Sequence, residues 1–147
     1  MKKIKLLFIL LLVILSTGCL LGEAGKGYLT KTCMLNENID GISKKQEYAI
    51  THLGNEIQKI VMTNEYITEE NAMLFQNLKD SDMSMQINLK NEPGVQITKE
   101  IDSEKEYRSI YTFDYLVISD SLKIMYDWNS TYSVLIEKFE DKGYICK

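Results

Sequence analysis

One proline, one histidine and three cysteines are spread over 147 residues, and each scarcity excludes something. With Pro93 as the single proline, the chain has no Ser/Pro-rich stalk of the kind that holds a domain far from its anchor. His52 is the only imidazole, so a Ser/His/Asp or Cys/His arrangement would have to use it, and no G-x-S-x-G motif accompanies it. Its place beside Gly54 reads as a strand end next to a turn. No C-x-x-C pair suggests a zinc site. Asp80-x-Asp82 does not continue into the glycine and distal glutamate of a calcium loop, and no glycine-rich phosphate cradle is present. The carboxylate pairs Asp80/Asp82 and Asp102/Glu104 sit in polar stretches and read as solvated turns rather than acid–base pairs. Long apolar runs are missing too. The longest, Leu6 to Leu15, is about half of what a membrane-spanning helix needs.

That run has a different meaning in its setting. Met1-Lys2-Lys3-Ile4-Lys5 precedes it and Ser16-Thr17-Gly18-Cys19 follows, which is the pattern of a secretory signal peptide over residues 1–18. Thr17-Gly18-Cys19 behind the apolar run resembles the lipobox of bacterial lipoproteins. Ser16 stands where leucine is commonest, with Leu15 one position further back. The resemblance implies cleavage before Cys19 and diacylglycerol on its sulfur, which anchors the chain on the extracytoplasmic face of the cell membrane. Two acyl chains are enough for stable attachment. The alternative is an ordinary signal peptide cut elsewhere, with Cys19 left as a plain thiol.

Residues 19–26 would be the lipidated cysteine and a tether, and 27–147 a single domain. From Leu20 to Lys26 the tether reaches at most about 25 Å, which keeps the domain close to the bilayer. Residues 1–18 hold three of the 17 basic residues and none of the 21 acidic ones, so the mature chain carries 14 against 21, a net charge of −7. Such a chain gains nothing from phosphate attraction, and nucleic-acid partners are not expected. With Cys19 assigned to lipid, Cys33 and Cys146 form an even pair in an exported setting. Joined, they would close a loop of roughly a hundred residues and stabilise the fold by about 4–5 kcal/mol. Unjoined, they would be two buried thiols.

The periodicity predicts an α+β domain. Tyr28 to Asn36, Ile42 to Leu53 and Ile57 to Tyr66 read as three antiparallel strands, with turns at Asp40-Gly41 and Gly54-Asn55. Thr68 is a candidate cap for a helix from Glu69 to about Leu78, with Met73, Leu74, Phe75 and Leu78 as its apolar stripe. Met83-Met85-Ile87-Leu89 has strand period but fits a second helical piece after a break near Asp80 to Asp82. A strand from Val95 and a longer one over Tyr107 to Ile118 follow, then a short helical turn within Leu122 to Trp128. A last helix begins near Ser130-Thr131, carries Val134, Leu135 and Phe139 inward, and stops at Gly143. In order these segments read as meander, helix, hairpin and final helix, about five strands in all.

Nine tyrosines are many for this length. Tyr107, Tyr111 and Tyr115 share strand parity with Phe113 and Val117, which favours a helix-covered core over an exposed aromatic platform. On the opposite parity Ile110, Leu116 and Ile118 stand among Arg108, Thr112 and Asp114, a face expected to be half exposed. Ile110 and Leu116, with Tyr126 and Trp128 in the irregular segment, are the candidate contact surface.

The order of features now suggests a family. A lipobox, then Lys31-Thr32-Cys33, a three-strand meander, a helix, a hairpin, a final helix and Gly143-Tyr144-Ile145-Cys146-Lys147 resemble the YehR-like group of small bacterial lipoproteins. The resemblance covers most of the mature chain and is poorest over Met83 to Leu89. It implies an antiparallel sheet with helices on one face and a bridge between Cys33 and Cys146, and it implies no catalytic residues. The expectation is a lipid-anchored, non-enzymatic binding module without a cofactor, whose partner is an envelope protein or glycan. A carrier of small ligands or cell-wall fragments is the alternative, and an envelope hydrolase is less favoured.

Overall fold

Two residues with positive φ, Asp40 at 48° and Gly41 at 85°, turn the chain between its first two strands, as a type I′ hairpin requires. The structure is a computed structural model that describes residues 27–147; the predicted signal peptide, Cys19 and the tether lie outside the described residues. Strands β1 (Leu29–Ile39), β2 (Ile42–Leu53) and β3 (Glu56–Thr68) form the predicted meander. Helix α1 (Ala72–Leu89) follows, then β4 (Val95–Asp102), β5 (Glu106–Asp114), α2 (Asp120–Met125), α3 (Tyr132–Asp141) and β6 (Ile145–Cys146). The sheet is wholly antiparallel in the order β4-β5-β3-β2-β1-β6, six strands rather than about five. The sixth is the C-terminal tail, which pairs Cys33 with Cys146 and Met34 with Ile145.

Alternation decides which face is covered. On β5, Tyr107, Ser109, Tyr111 and Phe113 are buried, while Arg108, Ile110 and Thr112 between them are half-buried. On β3, Ile60, Met62, Asn64 and Tyr66 repeat the pattern. Helices α1, α2 and α3 lie on this face, with Phe75 and Leu89 from α1, Leu122 from α2, and Leu135, Ile136 and Phe139 from α3 buried against it. Among the described residues no helix is long and apolar enough to cross a membrane.

Four local readings change. Helix α1 starts at Ala72, because Asn71 takes the cap: its side chain accepts from the Leu74 amide, while Thr68 Oγ1 accepts from the Asn71 amide. The helix runs on through Asp80 to Asp82 without a break, so Met83 to Leu89 is helical. Strand β5 ends at Asp114, four residues early. The Asp114 side chain accepts from the Leu116 amide, its carbonyl accepts from Val117 and Ile118, and the resulting turn leaves Val117 exposed and buries Ile118 in the core, the reverse of what strand parity gives. In α3, Val134 is exposed and Ile136 takes its place against the sheet.

The Gly143 stop is as expected. With φ at 88°, it lets its own amide reach the Glu140 carbonyl and the Tyr144 amide reach that of Phe139, the paired bonds of a Schellman cap. That reversal sends Tyr144 to Lys147 back along β1. There Thr32 and Lys147 exchange backbone hydrogen bonds, and Cys33 and Cys146 are joined by a disulfide.

Candidate functional site: a buried carboxylate seam and an apolar end face

The covered face of the sheet is not uniformly apolar. One cross-strand row, Gln46 on β2, Asn64 on β3 and Ser109 on β5, is polar throughout. Asp82 descends onto this row from α1 and is 3 % exposed. Its Oδ1 accepts from Asn64 Nδ2 at 2.8 Å; its Oδ2 accepts from Tyr107 Oη at 2.7 Å and from Gln86 Nε2 at 3.1 Å. Tyr111 Oη donates to the Asp82 carbonyl at 3.2 Å. Asn64 Oδ1 in turn accepts from Gln46 Nε2 at 3.0 Å, and Gln46 Oε1 accepts from Tyr144 Oη. The chain of bonds crosses from α1 over β3 and β2 to the C-terminal segment.

This seam divides the core. On one side Ile42, Tyr66, Phe75 and Tyr107 pack together. On the other lies the larger cluster that includes Tyr48, Ile50, Met62, Tyr111, Phe113, Trp128, Leu135 and Phe139. Burial, and after it the Asp82 carboxylate, hold the Tyr107 and Tyr111 phenols well above the usual range, so both stay protonated donors at neutral pH. A carboxylate in such a place is tolerable because both of its oxygens have donors. The Ser109 hydroxyl, fully buried in the same row, makes no hydrogen bond among the described residues.

His52 does not join this seam. It lies six residues along β2 from Gln46, about 20 Å at the usual rise per residue. Its Nδ1 is 2.7 Å from the Gly54 carbonyl, and its ring stacks on Tyr132 with centroids 3.5 Å apart. Of the predicted carboxylate pairs, Asp102 is a surface group whose pKa is lowered by hydrogen bonds from Lys79 and Lys99. Asp82 was expected in a solvated turn and is instead the centre of the seam. Among the described residues no group of histidine, cysteine, aspartate and glutamate is arranged to hold a metal.

The candidate contact residues are not brought together. Trp128 is 2 % exposed, wedged edge-on against Phe113 and Tyr48 and stacked on Tyr126. It is held there because α2 closes in a Schellman cap: Asp127, with φ at 59°, lets the Trp128 amide reach the Lys123 carbonyl and turns the indole inward. Tyr126 is partly buried against the same cluster. Ile110 lies mid-sheet on the uncovered face, paired with Thr63 and Thr98. That face is polar around it, with Arg108 bound to Glu65 and Glu100. Leu116 stands apart at the end of the sheet, 70 % exposed.

At that end the surface is concave. An open groove of about 770 Å³ is lined by Asn55 of the β2–β3 turn, Ile57 at the start of β3, Tyr115 and Leu116, Lys123 and Ile124 of α2, and Ser130. Asn55 helps to build it by capping α3, its carbonyl accepting from the Tyr132 amide and its side chain from the Ser133 amide. Tyr115 Oη donates to the Trp128 carbonyl and fixes the opposite wall. A second groove of about 570 Å³ lies around the corner, on the uncovered face, between Tyr28 and Leu116.

No protein-family model matches the chain, and no curated protein sequence matches it. Solved structures do. An NMR structure of a protein from Streptococcus pneumoniae TIGR4 superposes with a TM-score of 0.56 over 86 % of this chain and 88 % of that one, at 14 % identity. The NMR structure of the E. coli YehR protein superposes with a TM-score of 0.58 over 82 % of this chain and 92 % of that one, at 11 % identity. The chain has the YehR fold.

At these identities the likeness is one of fold, and the seam belongs to this chain's own residues. The YehR fold was legible in the order of elements, but Asp82 as a core residue was not. A signal for it exists in hindsight: Phe75, Leu78, Asp82, Met85 and Leu89 are spaced by three and four residues, an unbroken helical stripe with one polar member. Reading that member as a break concealed both the helix and the seam.

Proposed function

We propose that the protein is a lipid-anchored module of the extracytoplasmic membrane face, held through diacylglycerol on Cys19, that works by binding rather than catalysis. The observation that carries this reading is the cysteine arithmetic. With Cys33 and Cys146 joined, Cys19 is left outside the bridge, directly behind the signal-like run. A stable disulfide also fits an oxidising compartment. Non-catalytic action is supported by the seam: the Asp82 oxygens are taken by Asn64, Gln86 and Tyr107, and His52 lies far along the sheet. The test is cell fractionation of Cys19→Ala. The altered protein should move from the membrane to soluble fractions; if it stays in the membrane, the anchor is elsewhere.

A carrier of small ligands or cell-wall fragments is the second reading. The groove beside Tyr115 favours it, since about 770 Å³ is in the size range of small-molecule sites. Titration with soluble glycan fragments, read by NMR shifts at Asn55, Lys123 and Ser130, separates this from a protein partner.

A further inference from the structure

The apolar side chains that the domain leaves exposed are distributed unevenly. Of twelve large ones among the described residues, five lie at the end of the sheet where β1 begins: Tyr28, Leu29, Leu116, Val117 and Ile124. Leu116 ties the group together, lining one groove with Ile124 and the other with Tyr28. This is also the end from which the chain leads back to Cys19. The opposite end is made of the Asp40-Gly41 turn, the link bearing Glu69 and Glu70, and the Ser103–Lys105 turn with Glu104, all exposed.

We propose that this end face docks on the bilayer that holds the anchor, with Leu116 and Ile124 seated among the acyl chains. The inference rests on the anchored reading above. Seven residues separate Cys19 from Gly27, so the lipid attachment lies within about 30 Å of Tyr28 and the end face is the part of the domain nearest that attachment. At the end face Lys59 and Lys123 stand among Glu56, Asp114 and Asp120, and Lys123 pairs with Asp120, so the attachment there is apolar rather than electrostatic, while Glu69, Glu70 and Glu104 lie at the far end. Apolar side chains ringed by polar ones, beside a covalent anchor, form a second hydrophobic attachment and restrict the domain to one orientation.

The test uses the mature chain from Cys19 with its disulfide intact. The Cys19 thiol is coupled to a maleimide phospholipid in vesicles of phosphatidylglycerol and phosphatidylethanolamine, prepared with plain or brominated acyl chains. The tether is then fixed at the same atom whether or not cells lipidate it. Leu116→Trp and Ile124→Trp add an indole at the end face; Ile87→Trp adds one on the exposed side of α1. Apolar faces that lie on a membrane reach about 5–10 Å into it, so brominated chains should quench the added emission at 116 and 124 at least about twofold. The indole at 87 should be unaffected. Equal quenching at all three positions, or none at 116 and 124, overturns the docking. Failure of the anchor reading shows separately, as an unlipidated Cys19 in cells while the coupled protein still docks.

Discussion

Removing the Asp82 carboxylate should cost more than its exposed-looking sequence context suggests. In Asp82→Ala, Asn64 Nδ2 and Tyr107 Oη lose acceptors at 2.8 and 2.7 Å in places that water does not reach. Gln86 is half-buried and can turn outward, and Tyr111 keeps its bond because it is made to the backbone. Each orphaned buried donor costs about 1–3 kcal/mol, and bonds to a charged acceptor stand at the upper end. Relief from burying a carboxylate offsets part of this. The net expectation is a loss of about 3–5 kcal/mol, a large part of the stability of a domain this size. Urea unfolding of Asp82→Ala, Asn64→Ala and the double variant measures it, with unchanged m-values as the condition for comparison. The two changes should be coupled by about 1–3 kcal/mol, because they delete opposite ends of one bond. A loss below about 1 kcal/mol, or strict additivity, would show that the seam does not hold the two halves of the core together.

Three further outcomes follow from the same contacts. Trp128→Ala should lower stability by about 3–5 kcal/mol in the same assay, as for a buried aromatic and unlike a surface contact residue. Cys146→Ser should cost about 2–5 kcal/mol, since the bridge spans 113 residues of sequence, and a dithiothreitol titration of the unaltered protein should give the same loss. Alkaline pH should destabilise the fold. Burial, and then the Asp82 charge, push Tyr66 up to about 12, against about 10 for an unfolded phenol. The protonated phenol's contribution is therefore complete below about pH 10 and is lost as pH rises from there through about 12, so tyrosinate absorbance and unfolding should rise together in that window.

Legibility in the sequence varied with how local the deciding interaction was. The Asp40-Gly41 turn and the Gly143 stop depend on their own backbone angles, and both were readable. The meander and the helix-covered parity of Tyr107, Tyr111 and Phe113 followed from alternation alone. Long-range partners decided the rest. The strand over Tyr107 to Ile118 was overrun because Asp114 folds its own carboxylate onto the Leu116 amide, a competition that apolar alternation cannot register. Thr131 makes no side-chain cap for α3; the cap comes from Asn55, 78 residues away from Ser133. Asp82 looked like a breaker because its partners sit on β3 and β5, so a polar residue at a core position was indistinguishable from a loop. The contact surface at Trp128 failed for a related reason: the positive φ of Asp127 turns the indole inward.

Mass analysis of the protein extracted from cell membranes tests the central claim most directly. The account predicts a mature N-terminus at Cys19 with diacylglycerol on its sulfur and a mass two hydrogens short, for the bridge between Cys33 and Cys146. A free Cys19 thiol, or cleavage at any other residue, would contradict it.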